Sequence, residues 1–135
     1  MADALRMLSI ARKAGHAQIG EEPVLAVIDS RKARLVLLAA DAADNTVDRF
    51  TRALDRTHIA YAVAPCTRDQ MGAAFGRASC AVCAVCDLGL SEAIAKALAQ
   101  ADREKYGPCA QALRETAERI EQRKQKKPGL RRKGK

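Results

Sequence analysis

The run Leu35-Val-Leu-Leu-Ala-Ala constrains the fold of this chain more than any other feature. It is apolar at every position. An extended strand alternates its side chains between two faces, so this strand is expected to be covered on both. A sheet open to water on one face is excluded, and helices must pack on either side. The chain supplies them. Residues 4–14 put Leu5, Leu8 and Ala11 on one stripe, and Gly15 stops that helix. A second helix is expected from about Glu21 to Ser30, with Pro23 in its first turn and Glu21 and Glu22 at its positive end.

After the apolar run, Asp44-Asn45 can cap a helix to about Thr57, with Val47, Phe50 and Leu54 inward. Ile59-Ala-Tyr-Ala-Val-Ala reads as a second strand. Thr67-x-x-Gln70 is a capping-box pattern opening a short helix that Gly76 ends. Cys80–Cys86 reads as a third strand and residues 90–101 as a further helix. This alternation predicts an α/β domain with a largely parallel sheet. Gly107-Pro108 is expected to break the chain. Residues 110–126 could form one more helix on a narrow stripe of Leu113, Ala117 and Ile120, which packs weakly or awaits a partner.

Charge is distributed unevenly. The 135 residues carry a net +8, yet residues 1–118 hold 15 basic and 15 acidic side chains. The excess lies in residues 119–135, including Lys124, Lys126, Lys127, Arg131 and Arg132. The stretch from Pro128 to Lys135 is expected to be disordered. It reads either as a phosphate-binding arm without sequence choice or as a solvated tail. Aromatic residues make up only 3% of the chain, which argues against a base-stacking platform. No apolar run approaches a membrane span, and Met1-Ala-Asp-Ala-Leu-Arg lacks the apolar core of a signal peptide. A cytoplasmic location without a membrane partner is expected.

Catalytic and metal chemistry find little support. Cys80, Cys83 and Cys86 have ligand-like spacing, but on a strand Cys80 and Cys86 would face one way and Cys83 the other. Buried thiols acting as small apolar groups are the expected reading, with no metal and no cofactor. No phosphate loop or nucleophile elbow is present, and His16 and His58 sit at element ends. Asp41 and Asp87 end strands and read as loop and cap residues. Arg49, Arg52 and Arg56 line one side of a helix, but Asp48 and Asp55 lie at pairing distance from Arg52 in sequence, so a solvated, salt-bridged face is expected.

Specific residues carry a resemblance. Arg34-Leu-Val-Leu-Leu-Ala-Ala-Asp-Ala, a capped helix, Ile59-Ala-Tyr-Ala-Val-Ala and Thr67-Arg-Asp-Gln-Met-Gly-Ala-Ala-Phe-Gly follow one another in an order and spacing that resembles the kink-turn RNA-binding ribosomal protein superfamily. Its members include the archaeal-type "seven-Ae" protein and its "thirty-e" relative. Leu8-Ser-Ile-Ala-Arg-Lys-Ala-Gly with Gly20-Glu-Glu is most similar to the bacterial YlxQ-like branch. The similarity covers about residues 3–103. It implies a three-layer α/β/α sandwich with a small four-stranded mixed sheet, its fourth strand near Ala17–Ile19, plus a basic C-terminal helical extension. The expected division is a domain over 1–105, a helix over 106–127 and a disordered tail over 128–135.

The resemblance also implies a site. RNA contacts would come from Gly20, Glu21 and Glu22, from Asp41–Asn45 including Asn45, and from Arg77, Ala78 and Ser79, with Arg68 touching phosphate. A helix N-terminus approached through a glycine suits phosphate or base edges, and bent RNA read by shape needs few aromatic rings. Glu22, Pro23 and Ala26 stand where relatives carry an Asn, a Glu or Gln, and a Lys. A carboxylate can accept from guanine N–H groups but repels phosphate. Arg31, Lys32 and Arg34, just after that helix, read as replacing the lost charge or as an exposed turn. The expected function is non-catalytic binding of structured, kink-turn-like or ribosomal RNA, with the tail adding affinity. The alternative is a translation-associated protein-interaction module that has lost kink-turn specificity. Ribosome-associated proteins are further expected partners.

Overall fold

The computed structural model describes residues 2–133, with side-chain placement given through Lys124. The element order is α1 (Ala2–Lys13), β1 (Ala17–Ile19), α2 (Glu21–Asp29), β2 (Leu35–Leu38), α3 (Asp44–Asp55), β3 (Ala60–Val63), α4 (Arg68–Ala74), β4 (Val82–Val85), α5 (Leu88–Ala101) and α6 (Arg103–Lys133). The four strands form one sheet in the order β1-β4-β2-β3. The inner strands β2 and β4 are buried at every position, while β3, at an edge, is half-buried throughout.

Alternation along β2 explains the unbroken apolar run. Leu35 and Leu37 join one core with residues of α1, α4, α5 and α6, among them Leu8, Met71, Ile94 and Leu113. Val36 and Leu38 join a second core with Val24 and Ile28 of α2 and Phe50 and Leu54 of α3. The result is the expected three-layer sandwich, with the sheet between two helical layers.

The sheet is mixed, which corrects the largely parallel sheet read from the alternation alone. β2 and β3 are parallel, but β4 is antiparallel to both β1 and β2. The cause lies after α4, where the chain doubles back along its own helix. The Arg77 N–H donates to Gly72 O at 2.8 Å, and the Cys80 N–H donates to Arg68 O at 3.0 Å. The chain therefore re-enters the sheet at the end it left, and β4 runs backwards. A Cβ on Gly72 would lie 2.7 Å from Ser79 N and 2.9 Å from Arg77 O, so the doubling back depends on that glycine.

Local signals fare well where they are complete. Thr67 and Gln70 form both bonds of the capping box, at 3.1 and 2.9 Å. Asp87 caps α5 by accepting from the Leu90 N–H at 2.8 Å. Gly15, at φ 79°, closes α1 as the His16 N–H donates to Ala11 O at 2.8 Å. The cap of α3 differs. Its N-cap is Ala43 with no side-chain bond, and Asp44 sits in the first turn, where it favours the helix dipole instead.

The C-terminal region differs most. α6 starts directly after Asp102, whose carboxylate accepts from the Lys105 N–H at 3.2 Å. It passes through Gly107-Pro108 without a break. Tyr106, Cys109 and Leu113 are buried on either side of Pro108, and that packing outweighs one missing hydrogen bond. The boundary expected between 105 and 106 falls inside the core. The helix also extends across Pro128-Gly129 to Lys133, where a disordered tail was expected from residue 128. Helix propagation from the preceding turns supports that last segment. Gly134 and Lys135 lie outside the described residues. No helix among the described residues is long and apolar enough to cross a membrane.

Candidate nucleic-acid interface

The strand directions decide which loops meet. Leu38 at the end of β2 is level with Val63 at the end of β3 and Val82 at the start of β4. Ile19 at the end of β1 pairs with Cys83. The segments after β1, β2 and β3 and the one before β4 therefore share one end of the sheet. Gly20–Glu22, Asp41–Asn45, Arg68 and Arg77–Ser79 all belong to that loop end. The expected site residues from these segments are thus brought together by topology.

Direct contacts tie the end together. Gly20 donates its N–H to Val82 O at 3.1 Å, beside the loop that ends at Ser79. Its φ of 98° is one that residues with a Cβ rarely adopt. Gly20 is also the N-cap of α2 and supplies no side-chain bond, so the helix start remains open to an acceptor. Asp41 accepts from the Arg68 backbone N–H at 2.7 Å and lies 3.7 Å from its guanidinium, pinning the β2–α3 loop to the start of α4. Arg49 of α3 pairs with Glu21 at 2.8 Å. Arg77, Ala78 and Ser79 are exposed, as are Glu22, Asn45 and Arg68.

The expected charge replacement does not occur at this end. Arg31, Lys32 and Arg34 precede β2, and Arg34 donates its N–H to Val85 O at the end of β4. They occupy the opposite end of the sheet from Glu22, although they follow it closely in sequence. The loop end itself carries Glu21, Glu22, Asp41, Asp44 and Asp69 against Arg49, Arg68 and Arg77. Two of those arginines face carboxylates, so Arg77 is the cation there with no ion pair among the described residues.

Arg52 makes no ion pair with Asp48 or Asp55 among the described residues. Asp55 accepts from the Tyr61 hydroxyl at 2.8 Å instead, and that bond with burial raises the tyrosine pKa. Lys124 lies on α6 and is exposed. Lys126, Lys127, Arg131 and Arg132 continue the same helix, with side chains outside the described ones.

The cysteines form no ligand set among the described residues. Cys80 precedes β4 rather than lying on it, so strand alternation does not apply to it. It joins Cys66 and Cys83 in the same core. Burial pushes the Cys66 thiol up to about 11 and that of Cys83 well above its ordinary value. These thiols stay protonated at neutral pH and pack as apolar groups. Gly72 is the site-shaping residue that sequence reading passes over. Its signal was a glycine inside a predicted helix, which costs helix stability unless something packs closely against it.

Comparison with known proteins agrees with this architecture. A protein with unknown function from Bacillus halodurans is 28% identical, with a TM-score of 0.68 over 73% of this chain and 98% of its own. The Giardia lamblia 15.5kD RNA binding protein shares the fold at 22% identity, with a TM-score of 0.58 over 81% of this chain and 85% of its own. No curated protein matches. The family model for the ribosomal protein L7Ae/L30e/S12e/Gadd45 family matches residues 2–95, a span that holds the whole sheet and the loop end. The chain belongs to that family.

Proposed function

We propose that this chain is a non-catalytic RNA-binding protein that recognises structured, kink-turn-like or ribosomal RNA through its loop end. The observation that carries the reading is the convergence of the Gly20 turn and the Arg77–Ser79 loop at one end of the sheet. Membership of a ribosomal protein family supports it, as does the shared fold of the Giardia RNA binding protein. The open start of α2 offers backbone N–H donors to a phosphate or a base edge. Glu22 is exposed and suits donors on a base edge. Arg77, which makes no ion pair among the described residues, supplies the charge. Ribosomal RNA and ribosome-associated proteins are the proposed surroundings.

A second reading has one observation in its favour. The carboxylates at the loop end outnumber the arginines there, which suits a translation-associated protein-interaction module. Binding of the full chain to a kink-turn RNA and to a straight duplex separates the two. The RNA reading expects tighter binding to the bent RNA, and loss of about tenfold of that affinity on Arg77→Ala, since a charge-assisted contact is removed. Equal binding to both RNAs, unaffected by Arg77→Ala, contradicts it.

A further inference from the structure

The opposite end of the molecule carries a feature that the loop-end site does not use. A groove of about 420 Å³ lies between the α2–β2 turn, the end of α3 and the outer half of α6. Arg31, Arg34, Arg56, His58, Arg119 and Arg123 line it, and Ala33, Ile59 and Ile120 supply its apolar part. Among the described residues no carboxylate lines it, and the His58 imidazole is its one aromatic ring. None of the five arginines makes an ion pair among the described residues. Their intramolecular bonds go to neutral oxygens: Arg31 donates to Ile28 O at 3.0 Å and Arg119 to Thr116 Oγ1 at 3.1 Å.

Such a gathering of like charge is unfavourable unless an anion offsets it. Arg119 and Arg123 are one turn apart on α6, about 6 Å along its axis, where like charges repel. Three separate elements bring arginines to the same groove. Arg31 does so from a left-handed conformation at φ 61°, just past the end of α2, where glycine is the usual occupant. Each guanidinium presents several donors in a fixed fork that matches phosphate.

The course of α6 adds to this. It runs antiparallel to β3. The Tyr106 hydroxyl donates to Val63 O at the loop end of that strand at 2.6 Å, whereas Arg119 and Ile120 line the same groove as Ile59, just before the strand's other end. Lys124 and the further basic residues of α6 therefore lead away from the loop end, past the groove.

We propose that this groove is a second RNA site, taking the phosphodiester backbone of a segment other than the one held at the loop end. It rests on the RNA-binding reading above. With five arginines, a single imidazole and no carboxylate along its described lining, it contacts chiefly phosphates, which carry no sequence information. Lys124, exposed on α6 next to Arg123, extends this site on the side away from the loop end.

The test uses the full chain with Arg56→Gln, Arg119→Gln and Arg123→Gln combined, all exposed positions, and a straight RNA duplex as probe. Affinity for the duplex is expected to fall at least tenfold at moderate salt. The slope of log affinity against log salt is expected to flatten by about 2 to 3, for three lost phosphate contacts. The preference for kink-turn RNA over duplex should persist in this variant. Unchanged duplex affinity and slope would overturn the proposal. So would displacement of the duplex by polyglutamate as effective as by RNA of equal charge, which would indicate an acidic protein as the occupant. If wild type shows no preference for bent RNA but the triple variant still flattens the slope, the loop-end reading fails and the groove stands.

Discussion

Tyr106→Ala is expected to lower the stability of the chain by about 3–5 kcal/mol, the cost of deleting a large buried ring. Tyr106 is 1% exposed and belongs to the core shared by α1, α5 and the inner sheet face. Its hydroxyl also donates to Val63 O, which fastens the start of α6 to the edge strand β3. Domains of this size are stable by only ~5–15 kcal/mol, so the loss is a large share of the whole. Tyr106→Phe keeps the ring and should cost about 1 kcal/mol, the net worth of one hydrogen bond. Urea denaturation followed by circular dichroism measures both. A cost below about 1 kcal/mol for the alanine variant would mean that α6 is not docked as described. The same packing bears on truncation. Cutting the chain after residue 107 would remove Cys109 and Leu113 from the core, so a shortened chain meant to lack only the basic end should keep α6 through Leu113.

Gly72→Ala is expected to have the second large effect, and on two readouts. The added Cβ would meet Ser79 N, Ser79 Cα and Arg77 O at 2.7–2.9 Å. All three are backbone atoms, so the 77–79 segment must move. Overpacking of this kind costs about 1–3 kcal/mol, against which alanine returns up to about 1 kcal/mol of helix propensity. The net effect on stability should be a loss. The effect on RNA should be greater than stability alone accounts for, because Arg77–Ser79 would be displaced from the Gly20 turn. Gly107→Ala is the matching control. Its Cβ would meet only Arg103 Cγ at 3.7 Å, so it should be neutral or stabilising. If Gly72→Ala keeps both stability and affinity for bent RNA, the 77–79 loop does not form the site.

What could be read from the sequence follows from how far each feature reaches along the chain. The apolar run at Leu35–Leu38 and the capping box at Thr67–Gln70 depend on adjacent residues, and both are found where expected. β1 has three residues, too few for an alternation to register, and only the family resemblance placed it. The direction of β4 depends on contacts between Arg68 and Cys80 and between Gly72 and Ser79, which no local pattern encodes. The continuity of α6 through Gly107-Pro108 depends on packing of Tyr106 and Leu113 against distant helices.

The same limit governs the two ends of the molecule. Family resemblance groups Gly20, Arg68 and Arg77, and the strand directions put them at one end. Arg31, Lys32 and Arg34 follow Glu22 closely in sequence, which reads either as replacement of lost charge or as an exposed turn. α2 lies between them, and it carries the chain from the loop end to the far end. Arg56, Arg119 and Arg123 come from α3 and α6, and nothing in their spacing announced that they would share a groove with Arg31. The charge reading changes accordingly. α6 carries its basic residues away from the loop end, where carboxylates outnumber arginines.

The most direct test of the loop-end site is amide chemical-shift mapping of the full chain titrated with a kink-turn RNA. The account predicts saturable shifts at Gly20, Glu21 and Glu22 and at residues 77–79, with the largest changes at Gly20 and Arg77. Shifts confined to the far groove and α6, with the loop-end amides unmoved at saturation, would contradict it.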